Sequence, residues 1–385
     1  MMEFDSSLAT GARPQPVAVA SVAAGHRREH VPEFDVLRGV AIVFVVYLHA
    51  YFSPWHVTPH HELLAMHIIH LFAQTAVPVF FFISAFLLAG DTSPSFPAFA
   101  VRKVRRIVVP LLFWMTAALA YNAWQGGGLT REMLHHYLLF DSSGQLYYLV
   151  VLVILMPAFY FVRDWPVRRL GFLTAGAFAV NFATIVYYQS SAVSGDFATL
   201  AYRNPLVWVF FYAFGLYVGR RFGSLDWTRR VVWPALGTMA LVAAAYFILG
   251  ERYGLYPDSY FGVTIFLFSS VSLVAYPALI QYVARSGAGQ MVLRPAVFLS
   301  RYAFAIYLVH VPFFVGYLTN RYISPSDTWN QDYFKLMNAL FVFGFLTSLA
   351  FVVTMGALVP RLSAELLGIT PRPRATPRIT REDLE

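Results

Sequence analysis

Arg38 and His49 stand eleven residues apart in an otherwise apolar stretch, residues 36–54. Eleven residues turn a helix by about 1100°, some 20° beyond three full turns, so both side chains leave one face about 16 Å apart along the axis. A guanidinium stays charged and grips anions, whereas an imidazole trades protons near neutral pH. Asp35 precedes Arg38 by one turn and is a ready ion-pair partner. Another histidine, His310, lies as far into a later apolar stretch, 297–318, as His49 lies into its own. If the two segments run in the same direction, the imidazoles sit at one depth, as they would in a site. A basic run, Arg102, Lys103, Arg105 and Arg106, leads into Pro110. Read as the start of a helix, it offers cations, free N–H groups and a favourable dipole to a polyphosphate. The plainer reading is a charge run that orients the chain in a membrane.

The segments that carry these residues must be membrane helices. Only 12% of the 385 residues are charged while 58% are hydrophobic, about half the charge a soluble domain of ordinary composition carries. The same balance excludes intrinsic disorder. With no cysteine, disulfides, thiolate metal sites and cysteine nucleophiles are excluded. Ten apolar segments are long enough, or nearly so, to span a bilayer: 36–54, 66–90, 106–124, 146–162, 169–189, 205–220, 231–249, 260–283, 297–318 and 336–359. The expected fold is an all-α polytopic bundle of about ten transmembrane helices. Residues 1–32 read as a mobile N-terminal segment without the features of a signal peptide. Residues 33–360 form the transmembrane domain, and residues 361–385 form a disordered basic tail.

The distribution of Lys and Arg supports the count. Threading ten spans from a cytoplasmic N-terminus puts 22 of the 28 Lys/Arg on one side and only Arg131, Arg203, Arg252, Arg321 and Lys335 on the other, with Arg38 inside the first helix. A missed helix would invert every later loop and erase the asymmetry, so the pattern predicts both termini in the cytoplasm. It also explains the net charge of +8 as orientation and attraction to anionic lipid, with no nucleic-acid partner. No Asp or Glu falls mid-span, and there are no matched broken helices, so an ion-coupled transporter is disfavoured. His56, His60, His61, His67, His70, His135 and His136 read as solvated histidines of outer loops. No metal site is expected.

Several segments in order resemble the acyltransferase-3 family of integral membrane acyltransferases. Phe34-Asp35-Val36-Leu37-Arg38-Gly39 followed by Leu48-His49 is similar to its opening Arg-x10-His motif. Val77 to Leu88 resembles the family's VPxFFxISGFL segment, with Ala85 in place of the usual glycine. Arg102 to Pro110 resembles its basic run. Gln145-Leu146-Tyr147-Tyr148-Leu149 resembles its aromatic WFL start of a helix, with Tyr147 where the family usually has Trp. Ser300 to His310 resembles its late S-x6-Y-L-x-H segment.

The resemblance implies transfer of an acyl group, acetyl by default, from cytoplasmic acyl-CoA to a hydroxyl of a surface or exported glycan. Exopolysaccharide, lipid-linked oligosaccharide and O-antigen are the candidate acceptors, in a multi-pass protein of the bacterial inner membrane. It implies His49 as general base, with Arg38 positioning the donor and His310 with Tyr307 orienting the acceptor or relaying protons. An acyl-histidine variant stays open. Arg38, Ser84, Arg102, Lys103, Arg105 and Arg106 would bind the acetyl-CoA co-substrate, and Tyr147, Tyr148 and Ser300 the acceptor. Membrane lipids and polysaccharide-biosynthesis machinery are the expected partners. The alternative is a glycan exporter or flippase without acyl transfer, which would have no use for a CoA-phosphate site.

Overall fold

The computed structural model describes residues 31–50, 60–191, 200–253, 260–315 and 333–369. Among them there is no strand, and helices follow one another in the order α1 (Pro32–Ala50), α2 (His60–Ala73), α3 (Ala76–Leu88), α4 (Phe96–Lys103), α5 (Val109–Gln125), α6 (Arg131–Leu138), α7 (Tyr147–Tyr160), α8 (Val167–Ser190), α9 (Val209–Arg221), α10 (Val232–Tyr253), α11 (Val263–Val283), α12 (Gly287–Ser300), α13 (Ala303–Val309), α14 (Tyr333–Leu358) and α15 (Pro360–Leu366). The all-α bundle is as the composition demands, because in hydrocarbon a helix satisfies its own backbone polar groups.

Each of the ten apolar segments overlaps helix among the described residues. Six runs are long and apolar enough to cross a membrane: Leu64–Leu88, Phe96–Gln125, Val167–Ser190, Asp226–Tyr253, Val263–Val283 and Met337–Leu358. A seventh forms if Gly287–Ser300 and Ala303–Val315, bent by 54° at their junction, count as one. Of the rest, α7 and α9 are short, and α1 carries Glu33, Asp35 and Arg38 near its start. The apolar surface agrees with a lipid setting. Trp233, Leu241 and Ile248 of α10 and Phe343 and Leu346 of α14 stand exposed on outward faces, a pattern that in water would mark an aggregation surface.

α1 is the central post, packed by α2, α3, α11, α12, α13 and α14. Small residues set the closest approaches, as expected where lipid supplies no hydrophobic drive between helices. A Cβ on Gly39 would fall 1.8 Å from the carbonyl oxygen of Ala296, so α1 lies backbone to backbone on α12. Gly215 and Gly219, a G-x-x-x-G pair on α9, meet the backbone of α3 in the same way. Their added Cβ atoms would lie 2.3 Å from the Phe82 carbonyl oxygen and 2.9 Å from that of Phe86.

Two sequence expectations are corrected. The basic run does not open a helix. The helix starts at Phe96 behind the Ser95 cap, whose hydroxyl accepts from the Ala98 amide, and it continues through a π turn at Val104–Val108 into α5. The π turn widens the coil just before Pro110, whose ring would otherwise press on the carbonyl one turn back. The free N–H groups expected beside Arg102–Arg106 are therefore bonded within the helix. Nor is the chain after Pro360 wholly unstructured. α15 docks through Leu367, the Trp114 indole donates to the Leu366 carbonyl at 2.8 Å, and Gly368 turns the chain at φ 65°. Residues 1–30 and 370–385, where the rest of the mobile and disordered termini were expected, lie outside the described residues.

Gly215→Val should lower the melting temperature in detergent and the yield of monodisperse protein, at a cost of about 2 kcal/mol or more for the overpacked crossing. Gly237→Ala, on an open face of α10 with nothing near the added methyl, should leave both unchanged or slightly raised. Equal effects of the two would contradict the close α3–α9 crossing.

Candidate functional site

α1 is unbroken from Pro32 to Ala50, so the shared face of Arg38 and His49 is realised. Arg38 pairs with Asp35 at 3.5 Å. At the other end of α1 the ring of His49 faces that of His310, with centroids 5.1 Å apart and planes tilted by 58°. The two histidines do share one level.

His310 is fully buried at the start of a second π turn, His310–Val315, which contains Pro312. Its Nδ1 lies 3.0 Å from the carbonyl oxygens of both Ile306 and Tyr307. Those oxygens can only accept, so Nδ1 carries the proton and Nε2 presents a lone pair. That Nε2 is buried with no hydrogen-bond partner. His49 has no hydrogen bond to any described residue. One imidazole is thus locked in a tautomer and the other is free to take a proton.

Aromatic residues close the site. Tyr307 lies 6.2 Å from His310 and meets Tyr148 edge-on at 5.7 Å, centroid to centroid. The Tyr307 hydroxyl donates to the Gln145 carbonyl. The Tyr148 hydroxyl lies 3.1 Å from Ser84 Oγ and counts Arg38 among its charged neighbours. His49, His310, Tyr307, Tyr148 and Ser84 therefore form a connected chain of contacts across α1, the second π turn, α13, α7 and α3, with the Arg38 charge acting on Tyr148.

Other expected site residues make their direct contacts outside that chain. Tyr147 points the other way from Tyr148 and stacks on Trp208, centroids 5.6 Å apart. Ser300 spends its hydroxyl on the Val297 carbonyl of its own helix, at 2.9 Å. Arg102 is already engaged: it donates to Asp91 at 2.6 Å and also bonds the Ser93 hydroxyl. Lys103 lies over the Phe99 ring, whereas Arg105 and Arg106 are exposed and have no ion-pair partner among the described residues. His67 and His70, expected as solvated loop residues, are instead buried on α2, at 1% and 2% exposure. Their helix turns them inward, and His70 Nε2 lies 2.8 Å from the Gln74 side chain one turn on. His56 lies outside the described residues, as do the side chains of His60 and His61. Among the described residues no three His, Asp or Glu side chains converge as a metal would require.

Two partly buried acids form ion pairs that the sequence reading did not foresee. Asp91, in the loop before α4, holds Arg102 and also Arg163, 3.6 Å away, whose guanidinium lies 4.0 Å above the Tyr160 ring. Burial pushes the Asp91 carboxyl up, but hydrogen bonds from the Ser93 side chain and amide and from Arg102 outweigh it. The group is held below its ordinary value. Asp141 does similar work beyond α6, taking Arg203 at 2.6 Å while Arg203 also bonds the Phe140 carbonyl at 2.8 Å. The signal for Asp91 was an acid directly ahead of a basic run. Nothing local marked its distant partner Arg163.

A polytopic helical membrane protein with a histidine pair inside its bundle is the class this structure defines. The sequence matches the acyltransferase-3 family model, described as "Acyltransferase domain", over residues 31–357. The chain belongs to that family and is a membrane acyltransferase. No curated protein and no solved structure matches it.

Because the Asp91 carboxyl is held low, its stabilising contribution is present above about pH 4 and is lost as pH falls through its folded-state value. Between about pH 6 and pH 3, wild-type protein in detergent should therefore lose more melting temperature than Asp91→Asn, which starts lower. Parallel curves would contradict the role given to Asp91.

Proposed function

We propose that this chain is an O-acyltransferase moving an acyl group, acetyl as the first expectation, from cytoplasmic acyl-CoA to a hydroxyl of a surface or exported glycan. Exopolysaccharide, lipid-linked oligosaccharide and O-antigen are the acceptor classes, and the bacterial inner membrane is the location. The observation that carries the reading is the His49–His310 contact inside a bundle of this family.

His49 is the general base. Its free imidazole nitrogen takes the proton of the acceptor hydroxyl as the oxygen attacks the thioester carbonyl carbon. The carbon–sulfur bond then breaks, and the CoA sulfur leaves with the proton that His49 returns. The products are the acyl ester and free CoA. A neutral imidazole suits this exchange at physiological pH. Arg38 lies about 16 Å along α1, a span that an extended pantetheine arm covers, and serves the donor end. Lys103, Arg105 and Arg106 are the cations available to CoA phosphates. Arg102 joins them only by giving up Asp91. The Lys/Arg asymmetry orients both termini, and with them this basic face, toward the cytoplasm.

His49→Ala should lower transfer from acetyl-CoA by about 10²-fold or more in membranes containing normal amounts of the protein. Retention of full transfer would overturn the assignment. Acetyl-CoA binding to the purified protein separates this reading from export: absence of binding would favour an exporter.

A further inference from the structure

Gln145 is a buried polar residue that the mechanism above does not use. It sits in a single 3-10 turn, Gly144–Leu146, directly before α7, and is 1% exposed. Its backbone carbonyl receives the Tyr307 hydroxyl, which ties it to the residue one turn ahead of His310. Its side-chain Oε1 is taken by the Ser143 hydroxyl. The amide nitrogen, Nε2, is buried with no partner.

Two buried polar atoms thus stand unsatisfied on residues joined through Tyr307, and they are of opposite sense. His310 Nε2 can only accept, because its other nitrogen holds the ring proton against the Ile306 and Tyr307 carbonyls. Gln145 Nε2 can only donate. Leaving such atoms unpaired is costly in a low-dielectric interior, so a ligand that pairs them gains accordingly. A hydroxyl satisfies both at once, donating its proton to His310 and accepting from Gln145. It is not the hydroxyl that reacts, since one hydroxyl has one proton and the reacting one gives its proton to His49. The centroid spacing of 5.1 Å between the imidazoles suits two oxygens on neighbouring carbons.

We infer that His310 Nε2 and Gln145 Nε2 hold a second, unreacting hydroxyl of the acceptor, so that the preferred acceptor is a vicinal diol of the kind a sugar ring presents. This rests on the acyl-transfer reading and deepens it. Gln145 is a specificity residue that touches substrate, and His310 sets the register of the acceptor against His49.

The test uses full-length protein in lipid nanodiscs, with acetyl-CoA as donor and trans-1,2-cyclohexanediol, cis-1,2-cyclohexanediol and cyclohexanol as acceptors. For wild type, kcat/KM should favour the better diol over the mono-alcohol by at least about tenfold, since a site built to bind a hydroxyl rejects analogues lacking it. In Gln145→Met, which keeps the volume and removes the donor, and in Gln145→Leu, which removes it with a branched apolar chain, that ratio should fall toward one. The KM for acetyl-CoA should stay within about twofold. The inference is overturned if wild type acylates diol and mono-alcohol equally, or if the ratio survives both substitutions. Acetyl-CoA binding is measured in the same nanodiscs: absence of binding would fail the acyl-transfer reading, whereas binding with transfer to none of the three alcohols would overturn the inference alone, since a site built for a vicinal diol accepts one. A ratio is insensitive to how much of a variant folds, so poor expression leaves the reading of the test intact.

Discussion

The backbone-to-backbone crossing of α1 on α12, at Gly39 and Ala296, governs where everything else can stand. With no side chain at position 39, α1 lies at the centre of the bundle with α3, α11, α13 and α14 around it. Arg38 is fixed by the residue next to it, and His49 by the eleven-residue spacing along a rigid helix. α13 follows α12 after a bend of 54° in the run, and the bend carries His310 to the face of α1 where His49 waits. A larger residue at 39 would push α1 off α12 and separate the two imidazoles even though neither had changed.

Around this core the chain spends few charges, and most of the buried ones are tied. Asp91 gathers Arg102 and Arg163 beside α4, and Asp141 gathers Arg203 beside α6. Removing Asp91 or Asp141 would leave the buried Arg163 or Arg203 guanidinium without its carboxylate, which is more costly than forming the pair is rewarding. The two π turns belong to the same economy. Each lies at a proline, Pro110 or Pro312, and the wider coil accommodates the missing N–H there while keeping the helix continuous. At Pro312 the π turn begins with His310 itself, so a local backbone adjustment and a chemical group coincide.

Much of this was legible in the sequence. The apolar segments gave the helices, and the Arg38–His49 spacing gave their common face. The equal depth of His49 and His310 anticipated their contact, because a helix converts residue number into depth with little error. The basic run was misjudged because charge marks a membrane boundary but not a helix start: the Ser95 cap lies seven residues upstream of Arg102. His67 and His70 were misjudged because polarity alone suggested a loop, whereas the apolar residues around them wind on as helix and turn them inward. Gly215 and Gly219 were readable as a G-x-x-x-G pair and could have predicted the α3–α9 crossing. Asp91 with Arg163 and Gln145 with Tyr307 were not readable, since each joins positions with many residues between them and no periodicity linking them.

In the proposed reaction His49 and His310 act as one unit on the acceptor. A double-mutant cycle on kcat/KM for acyl transfer tests it most directly, with His49→Ala, His310→Ala and the double variant measured in the same membranes. Residues of one catalytic unit are strongly non-additive, so the account predicts that the double variant is about as impaired as the worse single one. Losses that multiply, as for independent sites, would contradict it.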